Sequence, residues 1–254
     1  MQSIKFHIKG LITSVGEIFK GKYLWFFLPG TIATILYLWF QASTEDLKAA
    51  SMLESDYSWV DWMFGYVNEG IEKGFSLLDT IMEQAYIFFV ITALSPFNTA
   101  LAERLDGSFT GQTFEFNLLR VLNDFLRMIF VVILLLLLEI VFLVLYWLVS
   151  WFIGIELIDT IVYHMIFAFF IGISFYDFAL ERYQVGVFGT IGFGFSNPLS
   201  MLLTGGIFLG IYAIPYVGIP ISPVIAVMVS TIVYLYITKK LPRPKSELKA
   251  DTNE

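Results

Sequence analysis

The sequence predicts an all-α protein that crosses a membrane several times, and three observations lead to that class. Residues 128–153 are apolar apart from one ionisable side chain, Glu139, and a helix needs about 20 such residues to cross about 30 Å of hydrocarbon. The whole chain is 57% hydrophobic and only 15% charged. Basic residues cluster towards its two ends, while acidic residues collect between the apolar segments.

About six apolar segments are expected to lie in the membrane. The later ones are about 15 residues long, which is at the short limit for a full crossing, and glycines and prolines separate them. They are therefore either short spans or re-entrant hairpins. The turn at 213–223 is either an external loop or a hairpin inside the membrane that lines a pore. The six segments are 23–40, 77–97, 128–153, 161–175, 199–214 and 223–237.

The two ends of the chain flank a single helical membrane domain, residues 23–240. Residues 1–22 combine lysines with apolar residues at helical spacing, which predicts an amphipathic helix lying on the membrane surface. Residues 241–254 are polar and predict a disordered cytoplasmic tail. Because both ends are basic, the positive-inside rule places both termini in the cytoplasm, which requires an even number of crossings.

The sequence shows no pattern typical of an enzyme or a metal site. It has no cysteine, and its two histidines, His7 and His164, lie far apart. Neither an HExxH nor a GxSxG pattern is present, and no basic patch typical of nucleic-acid binding occurs. We therefore expect no catalytic residues, no metal, no cofactor and no nucleic-acid partner.

Two stretches of the chain resemble each other. Residues 94–104, LSPFNTALAER, align with residues 173–182, ISFYDFALER, with one gap. The similarity indicates either a structural repeat, the interface of which often carries function in transporters, or convergence at two helix ends. A repeat would place a polar turn and a Glu-Arg pair at the cytoplasmic mouth. The candidate substrate-binding or pore residues in these stretches are Ser95, Asn98, Glu103, Arg104, Asp177 and Arg182.

These candidates have a functional and a structural interpretation. Arginine suits oxyanions because its planar guanidinium donates two parallel hydrogen bonds. Four arginines could therefore guide an anion, although the positive-inside rule alone would also explain them: Arg104, Arg120, Arg127 and Arg182. Pro96 is expected to end or kink a helix at the inner surface. Asn98 is expected to cap the next helix, with or without an anion bound at that helix end.

Glu139 is the remaining candidate pore residue. It follows Arg127 by about 18 Å along a helix axis, which places it near the middle of the membrane. An acidic side chain at that depth costs about 2.5–3.5 kcal/mol, so we expect Glu139 to face the bundle interior, protonated or paired. It is either a proton-coupling or gating carboxylate or a structural, hydrogen-bonded glutamate.

The residues SPFN at 95–98 and ALAER at 100–104 resemble the SPFN-x-LLAE-K/R signature of the CysZ-type sulfate permease and etoposide-induced-protein family. The pair Gly10-Leu11 and the proline-centred hairpin at 215–223 also resemble that family, as does Tyr176-Asp177 followed by Arg182. The resemblance implies an oligomeric helical protein of the inner membrane, with partly penetrating hairpins, that admits sulfate for cysteine synthesis.

One position departs from the family pattern. Ile12 stands where the sulfate permeases carry an arginine that is associated with sulfate binding. The leading hypothesis is a permease or channel for a small inorganic oxyanion, most simply sulfate, that works as a homo-oligomer in the lipid bilayer of the cytoplasmic membrane. The alternative is a non-transporting membrane scaffold or assembly factor. The substrate, the energy coupling, the oligomer number and full crossing by 161–175 and 199–237 stay open.

Overall fold

Every regular element in the described part of the chain is a helix, so the predicted all-α class is confirmed. The computed structural model describes residues 2–36, 39, 84, 87–111, 118–153 and 156–241. The helices are α1 Gln2–Phe19, α2 Leu24–Leu36, α3 87–93, α4 Ser95–Thr110, α5 Leu118–Ile153, α6 Glu156–Leu180, α7 Val187–Ser196, α8 Pro198–Tyr212 and α9 Gly218–Ile237.

Three helices are long and apolar enough to cross a membrane, which makes this a membrane-embedded protein. They are Leu122–Ser150, Leu157–Tyr183 and Gly218–Ile237, and they lie in α5, α6 and α9. The helices α7 and α8 meet the same test only as a pair, and they are bent by 97°. The described residues thus contain three candidate spans, or four if the bent pair is one span, and the six predicted segments are not confirmed.

Three predicted segments are longer in the structure than in the sequence analysis, and the first is 128–153, which belongs to the 36-residue α5. The segment 161–175 belongs to the 25-residue α6, and the segment 223–237 belongs to the 20-residue α9. In contrast, α2 ends at Leu36 and is a shorter apolar helix. The end of the predicted segment 23–40, the beginning of 77–97 and the tail beyond Leu241 lie outside the described residues.

The helices α5 and α6 form an antiparallel hairpin with a polar contact near each end. Arg127 Nη2 donates a hydrogen bond to Asp177 Oδ1 at 2.7 Å, and Tyr146 OH donates to Asp159 Oδ1 at 2.8 Å. The α5 segment between these contacts is about 28 Å long at 1.5 Å per residue, close to the thickness of the hydrocarbon layer. Its outward side chains are apolar: Ile133, Leu137, Val141, Leu145 and Leu148.

The helix α9 lies at the centre of the bundle. It packs against α1, α4, α6 and α8, and its residues 222–235 are buried without interruption. This position explains why its sequence has no polar face, since a helix surrounded by protein is apolar on all sides. One of its hydroxyl groups turns to the backbone: Ser230 Oγ donates to the carbonyls of Phe175 and Val227 at 3.0 Å.

Glycines allow α6 and α8 to cross at close range. An ideal Cβ at Gly205 would lie 1.8 Å from the carbonyl oxygen of Ala168, and one at Gly172 would lie 2.2 Å from that of Met201. Any larger residue would force the two backbones apart. Small residues are typical of such interfaces in membranes, where close backbone packing holds helices together.

Residues 1–22, which were expected to lie on the membrane surface, contain a helix that packs on the bundle. The ring of Phe6 stacks on that of Tyr236 with centroids 5.2 Å apart, and Gly10 faces Val233. His7 Nε2 lies 3.0 Å from Thr204 Oγ1 of α8. The opposite face of α1 exposes a stripe of apolar side chains: Ile4, Ile8, Ile12, Val15 and Phe19.

Candidate functional site

The end of α6 places Arg182 inside the bundle. The helix ends at Leu180, and a 3-10 turn over Glu181–Tyr183 follows. The Arg182 guanidinium donates to the carbonyl of Ala102 and to the carboxylate of Asp106 on α4. The side chains of Arg182 and Asp106 are 0% and 1% exposed. Arg182 is therefore an enclosed, ion-paired side chain rather than an open basic group.

An aromatic pair and a lysine complete this buried cluster. Tyr183 OH donates to Asp106 Oδ2 at 2.8 Å. Lys240 Nζ lies over the ring of Tyr183, 2.7 Å from its centroid, and 5.6 Å from the centroid of Tyr234. Burial lowers the pKa of Lys240, and the negative charge of Asp106 opposes that shift. The lysine thus ties the end of α9 to the Arg182–Asp106 pair by cation–π contact.

A second arginine, Arg127, is held at the same end of the bundle. Its Nη2 donates to Asp177 Oδ1 at 2.7 Å and lies 3.4 Å from Thr190 Oγ1, which itself donates to Asp177 at 2.7 Å. Arg127 remains 16% exposed, whereas Asp177 is 1% exposed. The Nε of Arg127 has no hydrogen-bond partner among the described residues. The carboxyl of Glu181 adjoins Asp177 and Asp124.

The other basic candidate, Arg104, is on the outside of α4. Its side chain is exposed, and its guanidinium lies 5.9 Å from the centroid of the Tyr23 ring. The neighbouring Glu103 is half-buried. The structure therefore separates Glu103 and Arg104 from the two buried arginine–aspartate pairs, although all three arginines lie near one end of the bundle.

Ser95 and Asn98 lie at the kink between α3 and α4, and both are buried. Leu94 is the N-cap of α4, Pro96 is in its first turn, and no side chain caps this helix end. The capping role predicted for Asn98 is therefore wrong, because the helix begins three residues earlier, where proline fits without loss of a hydrogen bond. The amide nitrogen of Asn98 has no partner in the described structure.

The SPFN residues and Arg182 contact opposite ends of α9. Asn98 borders a void of about 10 Å³ together with Pro220 and Pro223, near the start of α9. Arg182 and Tyr183 lie near its end, where the ring of Tyr183 packs on Tyr234 at 5.2 Å. The predicted candidates thus do not form one site.

Glu139 is buried on α5 between the Arg127 and Tyr146 contacts, with 1% exposure. Neither of its carboxyl oxygens has a hydrogen-bond partner among the residues that the structure describes. One alternative from the sequence analysis was a structural glutamate held by hydrogen bonds. The described residues do not provide such hydrogen bonds. Its role as a gating or proton-coupling carboxylate stays a prediction.

The two similar stretches have different local backbones. Leu94 and Ser95 begin a helix at a kink, whereas Ile173 and Ser174 lie inside the continuous α6. The Glu103-Arg104 pair is in the middle of α4, whereas Glu181-Arg182 forms a 3-10 turn. These settings do not support a structural repeat.

Sequence reasoning selected Asp177 and Arg182 but missed their partners. It considered Arg127 as an anion contact or a topology signal but not as the partner of Asp177, and it did not consider Asp106 or Thr190. One signal was present: Asp106 is an acidic residue two positions beyond the Glu-Arg pair in the same sequence motif.

Comparison of the chain with protein-family models, with curated proteins and with solved structures returned no match. The resemblance to the CysZ-type sulfate permease family therefore stays a prediction.

Proposed function

We propose that this membrane protein is a permease or channel for a small inorganic oxyanion, with sulfate as the first candidate, and that Arg127 contacts the anion. The observation that carries the proposal is the state of the Arg127 guanidinium. It is partly exposed, one of its edges is held by Asp177, and its Nε has no partner in the described residues. Arg182 is fully enclosed and serves as a structural ion pair.

The geometry around Arg127 suits transient anion binding. An oxyanion that reaches the buried Nε of the guanidinium can accept a hydrogen bond from it, since arginine binds oxyanions through its N–H groups. The hydroxyl of Thr190 is within reach of the same guanidinium. Asp177 limits the attraction because its negative charge is already beside Arg127. Weak binding suits a pathway, since an ion that binds too tightly does not leave.

We assign the end of the bundle that carries Arg127 to the cytoplasm. Arg104, Arg182 and Lys240 lie at this end as well, and cytoplasmic segments are enriched in such residues. Phe6 and Tyr236 stack on each other, so the start of α1 and the end of α9 share one side. The inner membrane and a homo-oligomeric assembly rest on the family resemblance.

Uptake of radiolabelled sulfate into liposomes that contain the purified protein tests this proposal. In Arg127→Gln we expect uptake to fall about tenfold or more, because a hydrogen bond to a charged group contributes about 1.5–3 kcal/mol. The matched control is Arg104→Gln, which removes an exposed arginine outside the Asp177–Thr190 contact and should keep most uptake. Uptake no higher than in empty liposomes, or equal uptake by Arg127→Gln and the unchanged protein, would end the proposal.

A non-transporting membrane scaffold or assembly factor is the second candidate. The observation that favours it is that Arg127 and Arg182 are both already paired with aspartates. Such ion pairs can serve only to hold helices together. Recovery of a stable membrane partner after mild detergent extraction, combined with absence of sulfate uptake, would support this alternative.

A further inference from the structure

A half-open chamber lies towards the opposite end of α6 from the Arg127–Asp177 pair. Its volume is about 440 Å³, and α6 and α8 form two of its walls. Polar side chains line it from several directions, and no charged side chain of the described residues takes part. The polar lining residues are Gln84, Thr160, Tyr163, His164 and Tyr212.

Two hydrogen-bond acceptors line this chamber, the buried Gln84 Oε1 and the Nε2 of the exposed His164 ring. Gln84 is 7% exposed, and its Oε1 makes no hydrogen bond to any described residue. His164 Nδ1 lies 2.8 Å from the carbonyl oxygen of Thr160, which can only accept, so Nδ1 carries the proton and Nε2 offers a lone pair in the neutral ring. A buried acceptor without a donor is costly. The chamber therefore suits an occupant that brings hydrogen-bond donors.

An apolar groove continues from the chamber. Its volume is about 510 Å³, and it shares Thr160, His164 and Leu209 with the chamber. Its other walls include Met165 and Gly206. A Cβ at Gly206 would meet no atom within 4 Å, so the glycine leaves the groove wide. A chamber that carries polar groups and opens into an apolar groove matches the shape of an amphiphile.

We propose that the chamber and the groove together bind one membrane lipid that has hydrogen-bond donors in its head group. The head group lies in the chamber, where an ammonium or a hydroxyl donates to Gln84 Oε1 and His164 Nε2. One acyl chain lies in the groove beside Gly206.

Native mass spectrometry of the purified protein with lipids of identical acyl chains tests this proposal. Phosphatidylethanolamine offers an ammonium, phosphatidylglycerol offers hydroxyls, and phosphatidylcholine offers no donor. We expect at least one of the first two to bind about tenfold better than phosphatidylcholine, the effect of about two net hydrogen bonds. Comparison of those two lipids tells whether an ammonium or a hydroxyl fills the chamber.

Two variants test the two halves of the lipid site separately. Gln84→Leu should reduce the preference of the bound lipid over phosphatidylcholine by about threefold, because one of the two head-group hydrogen bonds is lost. Gly206→Leu fills the groove without a clash and should remove binding of all three lipids. Gly192→Leu on α7, where a Cβ also meets no atom within 4 Å, is the matched control and should bind like the unchanged protein.

Equal binding of the three lipids by the unchanged protein overturns the proposal, and so does full lipid binding by Gly206→Leu. The melting temperature of Gly206→Leu is measured alongside. If that variant is unstable, Gln84→Leu decides alone, and an unchanged lipid preference in it counts against the proposal.

Discussion

Arg182 and Arg127 are each held by an aspartate from another helix. Arg182 reaches Asp106 across 76 residues of sequence, and Arg127 reaches Asp177 across 50. Removing one partner of such a pair leaves an uncompensated buried charge, so these contacts fix the ends of α4, α5 and α6 relative to one another. The greater exposure of Arg127 is what distinguishes a candidate anion contact from a structural ion pair.

Glu139 is a buried polar side chain without a hydrogen bond to the described residues around it. Because neither oxygen is hydrogen-bonded to a described residue, we expect Glu139→Leu to stabilise the protein, since a buried polar group without a partner costs about 1–3 kcal/mol. The melting temperature in detergent, followed by tryptophan fluorescence, should rise by about 2–6 °C.

The matched control for Glu139→Leu is Asp106→Leu, which removes a carboxylate that has partners and should lower the melting temperature. A fall of similar size in Glu139→Leu would contradict the account, because it would reveal a partner of this carboxyl.

At the residue scale, the sequence identified polar side chains that matter but not their contacts. Asp177 and Arg182 stand out because few charged residues occur in apolar helices. Their partners depend on how helices that are distant in sequence pack, and no local pattern carries that information. Asn98 shows the same limit, since its environment is set by Pro220 and Pro223 from the end of the chain.

At the element scale, the close crossing of α6 and α8 depends on Gly205. We expect Gly205→Ala to lower the melting temperature clearly, because the added Cβ would lie 1.8 Å from a backbone oxygen that cannot move aside alone. The adjacent Gly206→Ala is the matched control, since its Cβ enters open space, and it should change the melting temperature little. Equal melting temperatures for the two variants would show that the helices do not cross as described.

The docking of α1 should weaken in acid. His7 is buried between Ser200 and Thr204. Burial lowers its pKa below the ordinary value of 6.5 and outweighs the hydrogen bonds to the carbonyls of Ser3 and Ser200, which raise it. The docked form therefore binds fewer protons than the undocked form. The contribution of neutral His7 to docking is fully present above about pH 6.5. It is lost as the pH falls from that value through the lowered pKa of the docked state.

Hydrogen exchange of the α1 amides measures this docking. We expect faster exchange at about pH 5 than at about pH 7.5, after correction for the intrinsic rates, and no such difference in His7→Gln. The control His164→Gln replaces an exposed imidazole on α6 and should keep the pH dependence. Protection of α1 that is the same at both pH values in the unchanged protein would refute the role of His7.

The lengths of α6 and α9 were underestimated from the sequence for a common physical reason. Asp159 and Asp177 suggested helix boundaries, but the structure pairs them with Tyr146 and Arg127, so the helix continues through them. The prolines at 220 and 223 suggested a loop, but both lie in the first two turns of α9, where few backbone hydrogen bonds are lost.

At the scale of the whole molecule, polar contacts lie on both sides of an apolar layer that is about as thick as a membrane. Arg127, Arg182 and Lys240 lie at one end, whereas Asp159 and the lipid-binding chamber lie towards the other. The apolar layer and the basic end are the features that the sequence predicts best. The reason is that apolar length and the distribution of charge depend on composition rather than on packing. The bend between α7 and α8 was beyond such reasoning, since the sequence does not tell a bent pair from two short spans.

Labelling of single cysteines with a membrane-impermeant maleimide tests this account most directly, because the natural chain contains no cysteine. We predict that Leu157→Cys is labelled only from outside the cell and Lys239→Cys only from the cytoplasmic side in inverted vesicles. Leu137→Cys, on the apolar face of α5, should be labelled from neither side. Labelling of positions 157 and 239 from the same side, or ready labelling of position 137, would contradict a chain that spans the membrane as described.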